Sequence, residues 1–168
     1  MQYSIWVIPP EPVFSRLQKI IDELSSEYGG PRFEPHMTVL GDIEEDLATI
    51  RRPIEKLAAD LDSLELTLGT VSFGITHFQS VFASVNPTPD LLKLNSELKK
   101  LFRLENRSFA PHISLLYGRY DMATKERAAS KIKLPSSSFV VNEFVITPAT
   151  SNPTEWEHSL VIPFGHGK

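Results

Sequence analysis

Two short segments of the chain share the pattern Pro-His-x-Thr/Ser. They read Pro-His-Met-Thr at residues 35–38 and Pro-His-Ile-Ser at residues 111–114. In an extended strand, every second side chain points to the same face, so each histidine is expected to lie beside the hydroxyl residue that follows it. The chain contains only five histidines. The repeated pattern therefore indicates one shared role for the two segments.

The residues of this pattern suit acid-base attack on a phosphodiester. One neutral imidazole can deprotonate water while an imidazolium protonates the leaving oxygen, so His36 and His112 are the candidate catalytic residues. The hydroxyls of Thr38 and Ser114 can donate hydrogen bonds to the non-bridging phosphate oxygens. This chemistry needs no metal and no cofactor, and neither is expected. The near symmetry of the two segments leaves open which histidine is the acid.

The composition predicts a small globular protein. With 168 residues, the chain is expected to form one domain over residues 1–168. The absence of cysteine excludes disulfides and thiolate nucleophiles. A net charge of −4 argues against binding a long nucleic acid, so we expect a small anionic nucleotide as the ligand. No apolar run approaches the ~20 residues of a membrane span, and a cytoplasmic monomer without membrane contact is expected.

The positions of apolar residues predict the elements that hold the two segments. In the first half they predict a strand at 3–8, a helix at 11–28, a strand at 35–40, a helix at 44–61 and a strand at 64–73. In the second half they predict a strand at 80–85, a helix from about 87 to 102, a strand starting at 111, a helix at 122–132, and strands at 138–147 and 157–164.

The order strand, helix, Pro-His strand, helix, strand thus occurs twice. This repetition indicates an internal duplication, and it predicts an α+β fold of two lobes that face each other across a cleft. The strands at 64–73 and 80–85 are joined too closely for a helical crossover. We therefore expect largely antiparallel sheets with the helices packed outside.

Four segments of the chain, which include the two Pro-His patterns, resemble the sequences of a known family. They comprise Tyr-Ser-Ile-Trp at 3–6, residues 30–39, Phe-Gln-Ser-Val-Phe at 78–82, and residues 111–117. With these segments, the chain resembles the 2H phosphoesterases, and among them the cyclic phosphodiesterases of the plant and yeast type. The stretches 41–72 and 119–160 match that family only loosely.

The resemblance implies a bilobal fold with a pseudo-twofold axis and a metal-independent hydrolase. The implied substrates are ADP-ribose 1″,2″-cyclic phosphate, opened to ADP-ribose 1″-phosphate, and nucleoside 2′,3′-cyclic phosphates, opened to the 2′-phosphates. It also implies that His112 is the base that activates water and that His36 is the acid.

Three aromatic residues are candidates for substrate binding through the same resemblance. Trp6 is expected to line the cleft or stack on the substrate, although a core aromatic fits its strand equally well. Phe78 is a candidate for stacking, and a plain hydrophobic contact is the alternative. Tyr117 is expected near the phosphate, but strand alternation places it opposite His112 unless the strand ends or bends there.

The other polar residues of interest are predicted to lie at the surface without a role in the site. They are His77, His158, His166, Arg32, Arg107 and the acidic run 42–46, which we interpret as a helix start.

Two other functions are compatible with the sequence. A nucleotide-binding module could keep this fold without turnover, although both segments retain their histidine and hydroxyl. A related enzyme acting on RNA ends, a 2′,3′-cyclic-phosphate hydrolase or a 2′-5′ ligase-like protein, is the second alternative. The acidic net charge counts against a long RNA substrate.

Overall fold

A computed structural model of the chain describes residues 1–135 and 137–165. The first half contains β1 (Tyr3–Val7), α1 (Val13–Tyr28), β2 (Met37–Ile43), α2 (Leu47–Ala59) and β3 (Leu64–Phe73). The second half contains β4 (Val81–Val85), α3 (Pro89–Leu101), β5 (His112–Leu116), α4 (Met122–Ser130), β6 (Ser138–Val141), β7 (Glu143–Pro148) and β8 (Leu160–Pro163), with a 3-10 turn at Pro153–Glu155. None of the described helices is long and apolar enough to traverse a lipid bilayer.

The strands form one sheet in the order β6-β3-β4-β5-β2-β1-β7-β8, and all neighbouring strands are antiparallel. Each half of the sheet has four strands, and the halves join where Met37 of β2 pairs with Ile113 of β5. The predicted bilobal α+β fold with antiparallel strands is therefore confirmed. The sheets of the two lobes are continuous through this central pair.

The helices are exchanged between the two repeats. Helix α1 packs on β5 of the second repeat, whereas α3 packs on β2 of the first. Likewise α4 packs on β3, and α2 packs on the terminal strand β8. The apolar faces of all these elements meet in one core, whose largest fully buried side chains include Leu17, Ile21, Ile50, Ile54, Leu91 and Leu98.

The strand predicted at 138–147 is two strands, and this prediction was wrong. Asn142 separates β6, which pairs with β3 at one edge of the sheet, from β7, which pairs with β1 in the other half. Since one residue carries the chain between these positions, the sheet must curl until its two ends approach each other. Asn142 and Glu143 interrupt the apolar residues at the break, but no glycine or proline marks it, so the segment matches one longer strand.

The remaining boundaries differ from the predictions by a few residues. Helices α2, α3 and α4 begin after capping residues Asp46, Thr88 and Asp121, whose side chains accept hydrogen bonds from backbone N–H groups in the first turn. The strand predicted at 35–40 begins only at Met37, so His36 lies just before β2.

Candidate functional site

The two Pro-His segments meet at the centre of the sheet. Met37 and Ile113, the paired central residues of β2 and β5, are both fully buried. Side chains alternate between the two faces of a sheet, so the sequence neighbours of Met37 and Ile113 point to the face opposite these two residues. That face forms a cleft of about 430 Å³. The structure brings all four predicted residues into its lining, namely His36, Thr38, His112 and Ser114.

Both imidazole rings are oriented by the same backbone contact. The Nδ1 atom of His36 lies 2.8 Å from the carbonyl oxygen of Glu34, and Nδ1 of His112 lies 2.7 Å from that of Ala110. Each acceptor carbonyl belongs to the residue before a proline. A proline restricts the residue before it to extended geometry. Because a carbonyl only accepts, Nδ1 must carry the hydrogen and donate it. In the neutral rings, Nε2 therefore keeps its lone pair for proton transfer.

Burial favours the neutral form of both histidines. His36 is only 6% exposed. Burial lowers its pKa to about 4, and repulsion from His112 and His158 acts in the same direction. The His112 pKa is also lowered by burial, and the bond to Ala110 opposes that shift. In the free protein at pH 7, both rings are therefore uncharged.

Two tryptophans enclose His36. The ring of Trp6, which lines the cleft, stacks on His36 with 3.6 Å between centroids and 13° between planes. Trp156 also lines the cleft and presents its edge at 5.6 Å from His36 and 5.4 Å from Trp6. The sequence reasoning missed Trp156. Its only distinguishing signal is that the chain has just two tryptophans.

Phe78 and Tyr117 also line the cleft, with 5.2 Å between their ring centroids. Phe78 is 40% exposed, and its backbone carbonyl accepts a hydrogen bond of 2.7 Å from the hydroxyl of Ser114. Tyr117 faces the cleft because β5 ends at Leu116, which is the strand end that the alternation argument required. Burial raises the pKa of Tyr117, and a hydrogen bond with Ser114 opposes this shift. Its hydroxyl therefore stays protonated and can donate.

Gln79 is a second cleft residue that the sequence reasoning missed. Its side-chain nitrogen lies 3.2 Å from Nδ1 and 3.3 Å from Nε2 of His112. The available signal was its position directly after Phe78 in the segment 78–82 that resembles the cyclic phosphodiesterases.

Four other polar residues singled out in the sequence, Arg32, Arg107, His77 and His158, do not themselves line the cleft. Arg32 donates to the Ser26 hydroxyl at 3.1 Å, and Arg107 pairs with Asp42 at 3.0 Å. His77 packs against Phe78, and the exposed His158 hydrogen-bonds the Glu34 carboxylate.

The charged groups at the cleft are few. Within residues 1–135 and 137–165, no lysine or arginine lines it, and Asp42 is its single carboxylate. Asp46, at the other end of the acidic run, caps α2. No cluster of three or more potential metal ligands occurs in the described part of the chain. His166 lies outside the described residues.

Solved structures share this fold at low sequence identity. The Thermus thermophilus protein TT0787 matches with a TM-score of 0.68 and 16% identity, and the match covers 100% of both chains. Escherichia coli LigT, solved in complex with ATP, matches with a TM-score of 0.60 and 17% identity over 96% of this chain and 93% of LigT. These likenesses establish the fold.

Two relatives are similar in sequence. A cyclic phosphodiesterase of Arabidopsis thaliana is 31% identical over 137 residues, which cover 81% of this chain and 76% of the plant protein. A 2′,3′-cyclic-nucleotide 3′-phosphodiesterase of Yarrowia lipolytica is 28% identical over 102 residues, 56% of this chain and 47% of the yeast protein. The family described as "Cyclic phosphodiesterase-like protein" matches residues 1–135, which include both Pro-His segments. The chain therefore belongs to the cyclic phosphodiesterase-like protein family.

Proposed function

We propose that this protein hydrolyses ribose cyclic phosphates by general acid-base catalysis with His36 and His112, without a metal ion. One observation carries the proposal. Two imidazoles whose Nδ1 hydrogens are fixed by backbone carbonyls line one cleft, and each has a hydroxyl two residues further on. The family of the chain supports hydrolysis of cyclic phosphates as the reaction class.

The proposed reaction is an in-line attack of water on the cyclic phosphodiester. The water oxygen forms a bond to phosphorus, and Nε2 of His112 takes the water proton. The bond from phosphorus to one ribose oxygen breaks, and His36 donates its Nε2 proton to that oxygen. The product is a phosphate monoester with a free ribose hydroxyl. His112 then releases its proton to solvent and His36 takes one up, which restores the starting charges of the pair.

The acid role of His36 depends on the substrate. With a pKa of about 4 in the free protein, His36 is neutral at pH 7. An anionic phosphate beside the ring favours the charged form and raises that pKa. The face of Trp6, stacked at 3.6 Å, also stabilises an imidazolium. His36 is thus proposed to gain its proton together with the substrate.

The remaining cleft residues are proposed to hold the phosphate and the nucleoside. Thr38 and Tyr117 supply hydroxyl donors for the non-bridging oxygens. The Ser114 hydroxyl donates to the Phe78 carbonyl in the free protein, and it is proposed to turn that hydrogen to a non-bridging oxygen when the phosphate binds. Phe78, which is 40% exposed, offers aromatic surface for a base or ribose, whereas Trp6 is only 4% exposed and is proposed to support the ring of His36.

The charge of the cleft favours a substrate with a single phosphate. Since no described lysine or arginine lines it, the cleft suits one monoanionic diester better than a substrate that also carries a pyrophosphate. Nucleoside 2′,3′-cyclic phosphates are therefore the preferred substrates, with ADP-ribose 1″,2″-cyclic phosphate as the second candidate.

The test is a turnover assay in EDTA. The purified protein is incubated with the four nucleoside 2′,3′-cyclic phosphates and, separately, with ADP-ribose 1″,2″-cyclic phosphate. Chromatography then identifies the phosphate isomers. We expect nucleoside 2′-phosphates and ADP-ribose 1″-phosphate, with the higher kcat/KM for the nucleoside substrates.

Variants of three histidines complete this test. His36→Ala and His112→Ala are expected to lose activity, whereas His77→Ala, outside the cleft, should turn over like the wild type. Turnover that survives either cleft alanine, or that requires a divalent metal, contradicts the proposal. Binding of the nucleotides without any turnover would favour the binding-module alternative.

A further inference from the structure

The loop at 74–80 connects β3 to β4 and is fixed at both ends. The backbone N–H of Gly74 donates to the carbonyl of Ser80 at 3.2 Å, which closes the loop. The ammonium group of Lys125, a residue only 3% exposed, donates to the Gly74 carbonyl at 2.6 Å. The Ser80 hydroxyl is fully buried and hydrogen-bonds the carbonyl of Gly118. The backbone of this loop therefore has little freedom to move.

The fixed loop holds Gln79 against His112. The side-chain nitrogen of Gln79 is almost equidistant from both ring nitrogens, at 3.2 Å and 3.3 Å. If the Gln79 nitrogen lay in the plane of the imidazole ring at these distances, it would clash with Cε1, the carbon between the two ring nitrogens. The amide of Gln79 therefore lies above or below the plane of the ring. Nδ1 already donates to Ala110 at 2.7 Å. Gln79 thus stands next to Nε2 without a linear hydrogen bond to it.

We propose that Gln79 positions the attacking water for His112, an inference that rests on the proposed function. The water has two hydrogens, and Nε2 of His112 accepts the one that is transferred. The side-chain carbonyl of Gln79 accepts the other after a rotation about its terminal bond, which exchanges amide nitrogen and oxygen. With both hydrogens engaged, a lone pair of the water oxygen faces the phosphorus.

The His36 ring has no side-chain amide against it among the described residues, and its hydrogen bond goes to the Glu34 carbonyl. The rings packed against His36 belong to Trp6 and Trp156, and the indole N–H of Trp156 is already used in a 2.9 Å bond to the Thr150 carbonyl. An indole has no hydrogen-bond acceptor in its ring plane. Among the described residues, a side-chain amide thus contacts the ring of His112, whereas the ring of His36 is packed against two indoles. This difference supports His112 as the base, a choice that the two similar sequence segments leave open.

The first test compares Gln79→Ala with Ile75→Ala, which alters an 89% exposed residue of the same loop. Gln79→Ala is expected to lower kcat on a nucleoside 2′,3′-cyclic phosphate by roughly 10- to 100-fold while KM changes by less than about threefold. Ile75→Ala should match the wild type in both constants.

A mixture of water and methanol tests positioning specifically. Methanol can transfer a proton to His112, but it has no second hydrogen for Gln79, so the wild-type enzyme should discriminate against it. Gln79→Ala should lose this discrimination and form more methyl phosphodiester relative to phosphate monoester. A purely structural role would lower both products equally and leave their ratio unchanged.

Gln79→Glu adds a pH profile. A carboxylate beside His112 raises the pKa of that ring, so the acidic limb of kcat/KM, which reports the neutral base, should move to higher pH. The inference about Gln79 is overturned if Gln79→Ala keeps the wild-type kcat and product ratio in an otherwise active enzyme. Failure of the proposed function looks different, because the wild type itself would then not hydrolyse any cyclic phosphate.

Discussion

The two halves of the cleft are built from nearly the same residues in different surroundings. In the first half, Trp6 of β1 pairs across the sheet with Thr38. In the second, Phe82 of β4 pairs with Ser114 in the same way. Trp6 lies flat on His36, with 13° between the planes, whereas Phe82 meets the His112 ring at 66° and 5.3 Å.

The difference between the halves arises outside the repeated segments. Trp156, from the turn before β8, covers His36, and Gln79, from the loop before β4, approaches His112. One ring is consequently enclosed by aromatic surface, and the other remains more accessible with a polar neighbour. In the proposed mechanism, two similar motifs divide acid and base work because their environments differ.

The largest expected effect separates the two histidines by leaving group. On a nucleoside 2′,3′-cyclic phosphate, His36→Ala and His112→Ala should each lower kcat by roughly 10²- to 10⁴-fold. A 4-nitrophenyl phosphodiester needs no proton on its leaving group at neutral pH. With this ester, the kcat of His36→Ala should lie within about tenfold of the wild-type kcat, whereas the kcat of His112→Ala should remain as low as with the cyclic phosphate.

The measurement is release of 4-nitrophenolate by absorbance. Recovery of His112→Ala instead of His36→Ala would reverse the assignment of acid and base. Equal behaviour of the two variants on both substrates would contradict the division of roles between the halves.

The next effect is on stability and depends on pH. The pKa of His36 falls from 6.5, its ordinary value, to about 4 in the folded protein. Stability from the neutral buried ring is therefore complete above pH 6.5 and is lost as the pH falls from 6.5 towards 4. Between pH 7 and pH 5, this loss amounts to about 2 kcal/mol.

Urea unfolding at the two pH values measures this loss. His36→Asn should remove most of the difference between pH 7 and pH 5. His112→Asn, at the less enclosed ring, should remove a smaller part of it. If wild type and His36→Asn lose stability equally on acidification, His36 is not buried in the neutral form.

The smallest effect distinguishes the two hydroxyls. The Ser114 hydroxyl donates to the Phe78 carbonyl at 2.7 Å, whereas that of Thr38 has no protein partner among the described residues. Ser114→Ala should lower the free energy of unfolding by about 1–2 kcal/mol, and Thr38→Val by less than about 0.5 kcal/mol. Both should reduce turnover, because both hydroxyls face the phosphate in the proposed complex. Equal stability losses would contradict the described hydrogen bond of Ser114.

The sequence was sufficient for those parts of the site that depend on local spacing. His36 and Thr38 share a face because strands have a period of two, and the same holds for His112 and Ser114. The antiparallel α+β fold also followed from periodicity and from the short connection between β3 and β4. The sequence predicted that each proline fixes the start of its strand. It did not predict that the carbonyl of the residue before the proline orients the imidazole.

The rest of the site depends on contacts between distant segments. Trp156 reaches His36 only because β7 and β8 return to the edge beside β1. That return begins at Asn142, where the chain passes from β6 to β7 with no glycine or proline at the crossing. A local pattern cannot report such a crossing, because both strands have the same apolar, β-branched composition.

The exchange of helices between the repeats has a consequence for how the molecule can be divided. An isolated first repeat would keep α1 but lose β5, the strand that α1 covers, and would expose the face of β2 that α3 covers. Neither repeat can therefore bury its own apolar surface as a monomer. Two copies of one repeat, arranged about a twofold axis, would restore both contacts and would place two identical Pro-His segments opposite each other. The fold thus has the arrangement of a symmetric dimer whose two subunits are joined in one chain.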